Sequence, residues 1–404
     1  MRFVLYGVGG VCNYGCEAIV RGTAILIRKK WPEAIITYVT PRLNDDINRL
    51  RGTGIEILPI KEYRRYEPKK IIRKAASLLS LPWDPFMERL EYLNGVDVVL
   101  SIGGDLYTLA ADGIGYARKL IQFGESVMRK NKKFIIWGAS IGPFEKNEKA
   151  KKAYVEHLRR VDLITVREPL TIHYLAQLGL TENVVQCADP AFFLNNSTFD
   201  GPVNNKRLRI GINYSPLSAS YALENWNEQD VVSKQIEVLC KLIERFNADV
   251  ALIPHVINPS EPVDDDYAYL KNIEAKIPNG FLDRVHFVDN DPGFIGLRDV
   301  LESCDIVIAA RMHCAINAIS RGIPTIFISY SAKSEGMVKY VYDNSEWIVS
   351  LHETASGALI DKVNMMVHQK RKIREHLIQR IPNIKKDALN AVDALERVLS
   401  NTPA

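Results

Sequence analysis

A chain of 404 residues, 47% hydrophobic and 25% charged, is too long for one ordinary core and too apolar for disorder, so it reads as a soluble globular protein of two domains. Its net charge of +4 comes without the long cationic stripe that duplex binding requires, which argues against nucleic acid as a partner. Six cysteines at 12, 16, 187, 240, 304 and 314 show neither C-x-x-C pairs nor dense spacing, and no apolar run reaches the roughly 18 to 20 residues of a membrane span. Reduced thiols in a cytoplasmic protein are expected.

From the amino terminus, short β-rich runs alternate with helical patterns. "RFVLYG" precedes a helix over 15–30; "AIITYVT" and "GIEILPI" precede a basic helix near 68–93; "VDVVLSIGG", "KFIIWGAS" and "DLITV" precede helices over 114–130, 147–160 and 168–179; "NVVQCADPA" closes the series. This alternation predicts a doubly wound parallel sheet. "NNSTFDGPVNNK", 195–206, is aperiodic and rich in Asn, Gly and Pro, and reads as a linker. A second series follows with "RLRIGINYS", "DVALIPHV", "RVHFVD", "DIVIAA", "PTIFISY" and "SEWIVS". The predicted fold is α/β: two Rossmann-like doubly wound parallel-sheet domains facing a cleft, an N-terminal one over 1–198 and a C-terminal one over 206–375. Residues 376–404 are expected to be helical, to break at Pro382 and to pack back on the first domain.

Ligands in such sheets collect beyond the carboxyl ends of the strands, where following helices offer free N–H groups. Three loops there are glycine-rich. "YGVGGVCNYGCEA" carries Asn13 and Glu17 but lacks the G-x-G-x-x-G spacing, which discounts NAD. "SIGGDLYT" carries Asp105 and Tyr107; Asp105 either orients a sugar hydroxyl or caps a helix. In "VREPLTIHYLAQLG", Arg167 ends a strand and is either a buried ion pair or an anion clamp. In the second half, "ARMHCAINAISRG" places Arg311 and His313 at a strand end and helix start, and "SYSAK" adds Lys333 after the next strand. Three cations converging there would bind a small, highly charged anion. The acidic run in "EPVDDDYAY" reads as a solvated helix start, and no His/Asp/Glu cluster stands at metal-ligand spacing.

With "NYGCEA", "SIGGD", "WGASIGPF", "VREPLTIHYLAQLG", "ADPAF", "ARMHCAINAISRGIPTI" and "SYSAK" in this order between about residues 5 and 350, the sequence resembles the polysaccharide pyruvyl transferase family. The resemblance implies a GT-B type fold and transfer of the enolpyruvyl group of phosphoenolpyruvate onto a sugar of a cell-surface or exopolysaccharide precursor, as a cyclic pyruvate ketal. It implies donor-site roles for Arg167, Arg311, His313 and Lys333, with the donor held mostly by the C-terminal domain and the acceptor facing the N-terminal one. Asn13, Glu17 and Tyr107 are the candidate acceptor contacts, and Asp105 joins His313 as a catalytic candidate. Phosphoenolpyruvate is a co-substrate, so neither cofactor nor metal is expected.

The chemistry fits these residue types. Ketal formation needs a proton on the methylene carbon, anion clamps, and two oriented hydroxyls. Imidazole titrates near working pH, at about 6.5, which makes His313 the candidate acid. A helix N-terminus opposes its protonation by roughly 0.3 to 1 kcal/mol, whereas an anion about 4 Å away favours it by about 4 kcal/mol at an effective dielectric of 20, so the arriving donor should arm the acid. "KEYRRYEPKKIIRKAASLLSLPW" interleaves cations with Tyr, Ile, Leu and Trp: it is either an interfacial helix, docking the protein on the inner face of the cytoplasmic membrane beside a lipid-linked saccharide, or a solvated helix face. The competing functions are a nucleotide-sugar glycosyltransferase or sugar epimerase on the same architecture, and a non-catalytic saccharide-binding protein.

Overall fold

The computed structural model describes residues 1–62, 88–109, 115–194, 207–222, 227–329, 332–354 and 357–400. The chain forms two compact units: Met1–Val11, Ile19–Pro190 and Asp387–Ala404 make the first, and Cys12–Ala18 with Ala191–Lys386 make the second. The expected linker, 195–206, and most of the basic interfacial segment, 63–83, lie outside the described residues.

The first unit is built on seven strands: β1 (Arg2–Tyr6), β2 (Ile35–Thr40), β3 (Glu56–Pro59), β4 (Val98–Ile102), β5 (Lys133–Ala139), β6 (Leu163–Val166) and β7 (Val184–Gln186). They lie in the order β3-β2-β1-β4-β5-β6-β7, every neighbouring pair parallel. Because helices cover both faces of such a sheet, its central strands are apolar runs and not alternating ones: all five residues of β4, Val-Val-Leu-Ser-Ile, are buried. On one face an aromatic core gathers, with Tyr6 stacked on Phe123 at 3.7 Å between ring centroids and Phe123 edge-on to Phe134 at 5.9 Å.

The second unit carries six strands: β8 (Arg209–Asn213), β9 (Asp249–Leu252), β10 (Val285–Phe287), β11 (Ile306–Ala309), β12 (Thr325–Ser329) and β13 (Ile348–Ser350). Their order is β10-β9-β8-β11-β12-β13, again all parallel. In each sheet the order reverses direction once, between β1 and β4 and between β8 and β11. These two switch points leave room beyond the strand ends where the following connections diverge, which is where an α/β sheet takes its ligand.

The carboxyl-terminal helix differs from expectation. It runs unbroken over Gly357–Ser400, 44 residues with Pro382 inside. Proline removes one backbone donor, but Ile373, Leu377, Ile381, Ile384, Ala388, Ala391 and Leu395, spaced by three or four residues, are all buried, and that apolar stripe outweighs the missing bond. No helix among the described residues is long and apolar enough to cross a membrane.

Candidate functional site

At the switch point of the second sheet, Asn213 ends β8 and organises its neighbours. Its side-chain carbonyl accepts from the backbone N–H of Arg311 at 2.9 Å, and its amide donates to the carbonyl of Ile253 at 2.9 Å and to Asp266 at 3.2 Å. Arg311 follows β11 and is the N-cap residue of the helix Met312–Ile319. Its guanidinium is buried against two carboxylates: Nε and Nη2 donate to Asp266 Oδ1 at 3.0 and 2.8 Å, and Nη2 reaches Asp264 Oδ1 at 2.7 Å. Burial works against its charge, yet Asp266 and Asp264 more than offset this and raise its pKa.

The run Asp264-Asp265-Asp266 is therefore no solvated helix start. Asp266 is fully buried, and Asp265 is buried and caps the helix Asp266–Glu274 by accepting from Tyr267 and Ala268 N–H. These are candidate-site residues that the linear pattern concealed. Along the same carboxyl edge lies a cavity of about 550 Å³ lined by Pro216, Ser220, Pro262, Val263, Tyr269 and Asn272, of ligand-site size.

His313 occupies the first turn of Met312–Ile319, and its ring lies on Gly15: a Cβ built on Gly15 would stand 2.6 Å from His313 Nδ1, a distance that real Cβ atoms do not tolerate. Gly15 is thus required for close approach and not for a turn. The segment that carries it is fixed to the second unit by backbone bonds, from Tyr14 N–H to His255 O at 3.1 Å and from Ile257 N–H to Cys12 O at 3.2 Å, with an antiparallel bridge between Asn13 and Val256. Asn13 Oδ1 accepts from Gly15 N–H at 2.9 Å. Tyr14 donates its hydroxyl to Asp291 at 2.5 Å. Nearby lies His255, completely buried, its backbone N–H donating to Asp266 at 3.2 Å and its ring set edgewise to Tyr14 and Phe294 at 5.4 and 5.9 Å.

Two expected acceptor contacts are placed elsewhere than a sugar could reach directly. Glu17 is 2% exposed, and its carboxylate accepts from Phe294 N–H at 2.9 Å, capping the helix Gly293–Glu302. Tyr107 is fully buried in the first unit's core, stacked on His157 at 6.0 Å and edge-on to Tyr154 at 6.3 Å. Both are corrections with one cause: a polar residue after a glycine turn is as readily drawn inward to satisfy the fold as left at the surface.

In the first unit Arg167 directly follows β6 and is 1% exposed. It donates to Asp189 at 2.8 Å, to Ser140 Oγ at 3.0 Å and to Asp105 at 3.3 Å, and its guanidinium lies on Gly104, where a Cβ would come within 2.5 Å. Burial opposes its charge, and Asp189 and Asp105 prevail and raise its pKa. Asp105 is half exposed. Glu168 caps the helix Pro169–Gln177 by accepting from Thr171 N–H. Lys333 stands in the first turn of the helix Ala332–Tyr342, after β12; its side chain is outside the described residues.

Residues 13–332 match the family model for polysaccharide pyruvyl transferase. The chain is 21% identical to the amylovoran biosynthesis protein AmsJ of Erwinia amylovora, over 94% of this chain and 95% of that protein. Among solved structures it resembles a glycosyltransferase from Rickettsia africae (16% identity, TM-score 0.58, 99% of both chains). It also resembles UDP-GlcNAc 2-epimerase from Neisseria meningitidis (12% identity, TM-score 0.60, 100% of both chains). At these identities the structural likeness establishes a GT-B-like fold and nothing about substrate.

Proposed function

The chain belongs to the polysaccharide pyruvyl transferase family, and from that premise we propose that it transfers the enolpyruvyl group of phosphoenolpyruvate to a sugar of a surface-polysaccharide precursor. The product is a cyclic pyruvate ketal, and phosphate is released. One observation supports this most: the imidazole of His313 is seated on Gly15 at the switch point of the second sheet, two residues after Arg311, whose guanidinium is buried. The relative named for amylovoran biosynthesis supports a biosynthetic setting.

On this reading His313 gives its proton to the methylene carbon of the donor, and one sugar hydroxyl attacks the carboxonium-like carbon so formed. A second hydroxyl displaces phosphate and closes the ring. Arg311 spends Nε and Nη2 on Asp266 and Asp264, which fix the plane of the guanidinium, and on this reading it is Nη1 that takes the donor anion. Lys333 holds the phosphate with it. In the first unit Asp105, half exposed, is the candidate for orienting a sugar hydroxyl.

The test is mass spectrometry of candidate lipid-linked saccharides incubated with the protein and phosphoenolpyruvate. The expected product has gained one pyruvate less one water, with one phosphate released. Loss of nucleotide from a UDP-sugar, without consumption of phosphoenolpyruvate, would replace this reading with glycosyl transfer or epimerisation.

A further inference from the structure

His255 is the one histidine of the second unit's site that the proposed mechanism leaves without a task. It follows β9 on the same sheet edge, and its imidazole is fully buried with neither ring nitrogen hydrogen-bonded. Leaving a buried polar group unpaired costs roughly 1 to 3 kcal/mol, and a fold that tolerates this at two atoms of one ring holds the ring for something other than stability. Two independent links set it beside His313. Consecutive residues touch the two rings, Tyr14 the His255 ring and Gly15 the His313 ring. Asp266 accepts from both the backbone N–H of His255 and the guanidinium of Arg311, two residues before His313.

We propose that His255 is a positioning residue for His313: in the reacting enzyme one of its ring nitrogens accepts a hydrogen bond from protonated His313, so that the two imidazoles hold one proton between them. This rests on the pyruvyl-transfer reading for its chemistry. The shared proton leaves the pair as the C–H bond forms on the donor's methylene carbon. The proton of the attacking hydroxyl returns to the pair, and that of the second hydroxyl departs with phosphate, so protons and charge balance. The groups around the pair fit one proton and not two. Arg311 adds a positive charge; Asp264 and Asp266 are occupied by that guanidinium, Asp291 takes the Tyr14 hydroxyl, and Glu17 caps Phe294. Burial first, then the charges of His313 and Arg311, hold His255 well below its ordinary pKa, which keeps it the acceptor of the pair.

The experiment compares His255→Phe, which keeps a flat ring but no acceptor, with His255→Gln, which restores one. Expected for H255F is a loss of turnover of about 100-fold with the phosphoenolpyruvate KM within about twofold, partly rescued in H255Q. In the absence of substrate, imidazole NMR should show the His313 titration of the full-length protein moving to lower pH in H255F and less so in H255Q. An unmoved titration, or turnover equal to wild type in H255F, overturns the pair. If H255F does not fold, H255Q decides: a His313 titration matching a folded His255→Leu control overturns the proposal, and one nearer wild type upholds it. A shifted titration with no ketal formed from any saccharide would instead count against the pyruvyl-transfer reading and leave the pair standing.

Discussion

The imidazole of His313 rests directly on the Cα of Gly15, with room for a hydrogen and none for a methyl group: a Cβ there would lie 2.6 Å from Nδ1 and 2.9 Å from the His313 Cβ. Since the ring's own Cβ is also in the way, rotation of the side chain does not relieve the clash. Gly15→Ala should destabilise the protein by about 1 to 3 kcal/mol and lower turnover by about 100-fold as the ring is displaced. Denaturant unfolding and steady-state kinetics measure both. Wild-type turnover in G15A would show that the seat of His313 does not matter to the chemistry.

Asp266 accepts from Arg311, Asn213 and the backbone of His255 while fully buried. Asp266→Ala strips a buried guanidinium of its bidentate partner, and the unpaired charge should cost about 3 to 5 kcal/mol. Urea unfolding at neutral pH gives the number. A loss under about 1 kcal/mol would mean that Asp264 and water suffice to solvate Arg311. Replacing both members, Arg311→Met with Asp266→Leu, should recover most of the stability and none of the activity, because in the proposed mechanism Arg311 holds the donor anion.

How much of this was legible in the sequence follows from which contacts are local. The strands were readable because a parallel sheet buried on both faces leaves continuous apolar runs, as in β4 and β11. Arg311 and His313 were readable because they interrupt such a run at the strand end. Asn13 to Glu17 follow β1 and were assigned to the first domain, yet the backbone bonds of Cys12 and Tyr14 to residues 257 and 255 carry the segment into the second unit. Pairing across more than two hundred residues leaves no periodicity to detect. Asp266 was misread for the same reason: its partners stand 53 residues before it and 45 after. His255, inside "LIPHV", carries no signal in the sequence beyond a polar residue after a strand, and only its burial with both ring nitrogens unbonded sets it apart.

Glu17 separates a structural carboxylate from a substrate contact. It caps Gly293–Glu302 through Phe294 N–H, so Glu17→Ala should lower stability by about 0.5 to 2 kcal/mol. Glu17→Gln keeps an acceptor oxygen and should lose less. In both variants the dependence of rate on saccharide concentration should match wild type, since the carboxylate is spent on the helix. A saccharide KM raised tenfold or more in E17Q, with stability preserved, would return Glu17 to the acceptor site.

The buried His255 also shapes stability against pH. Its folded-state pKa is held well below the ordinary 6.5, by burial first and then by His313 and Arg311, so below that pH the unfolded chain binds a proton the folded chain refuses. Stability from this residue is therefore fully present above about pH 6.5 and falls as pH drops, with a limiting slope of about 1.4 kcal/mol per pH unit. Between pH 6.5 and 5.5 wild type should lose about 1 kcal/mol more than His255→Phe, and at pH 7.5 the variant should be no less stable, because phenylalanine leaves no unpaired ring nitrogens behind. Urea unfolding of both proteins at the three pH values measures the difference. Parallel curves would mean that the imidazole takes up its proton within the folded protein, and the neutral acceptor assigned to it would have to be abandoned.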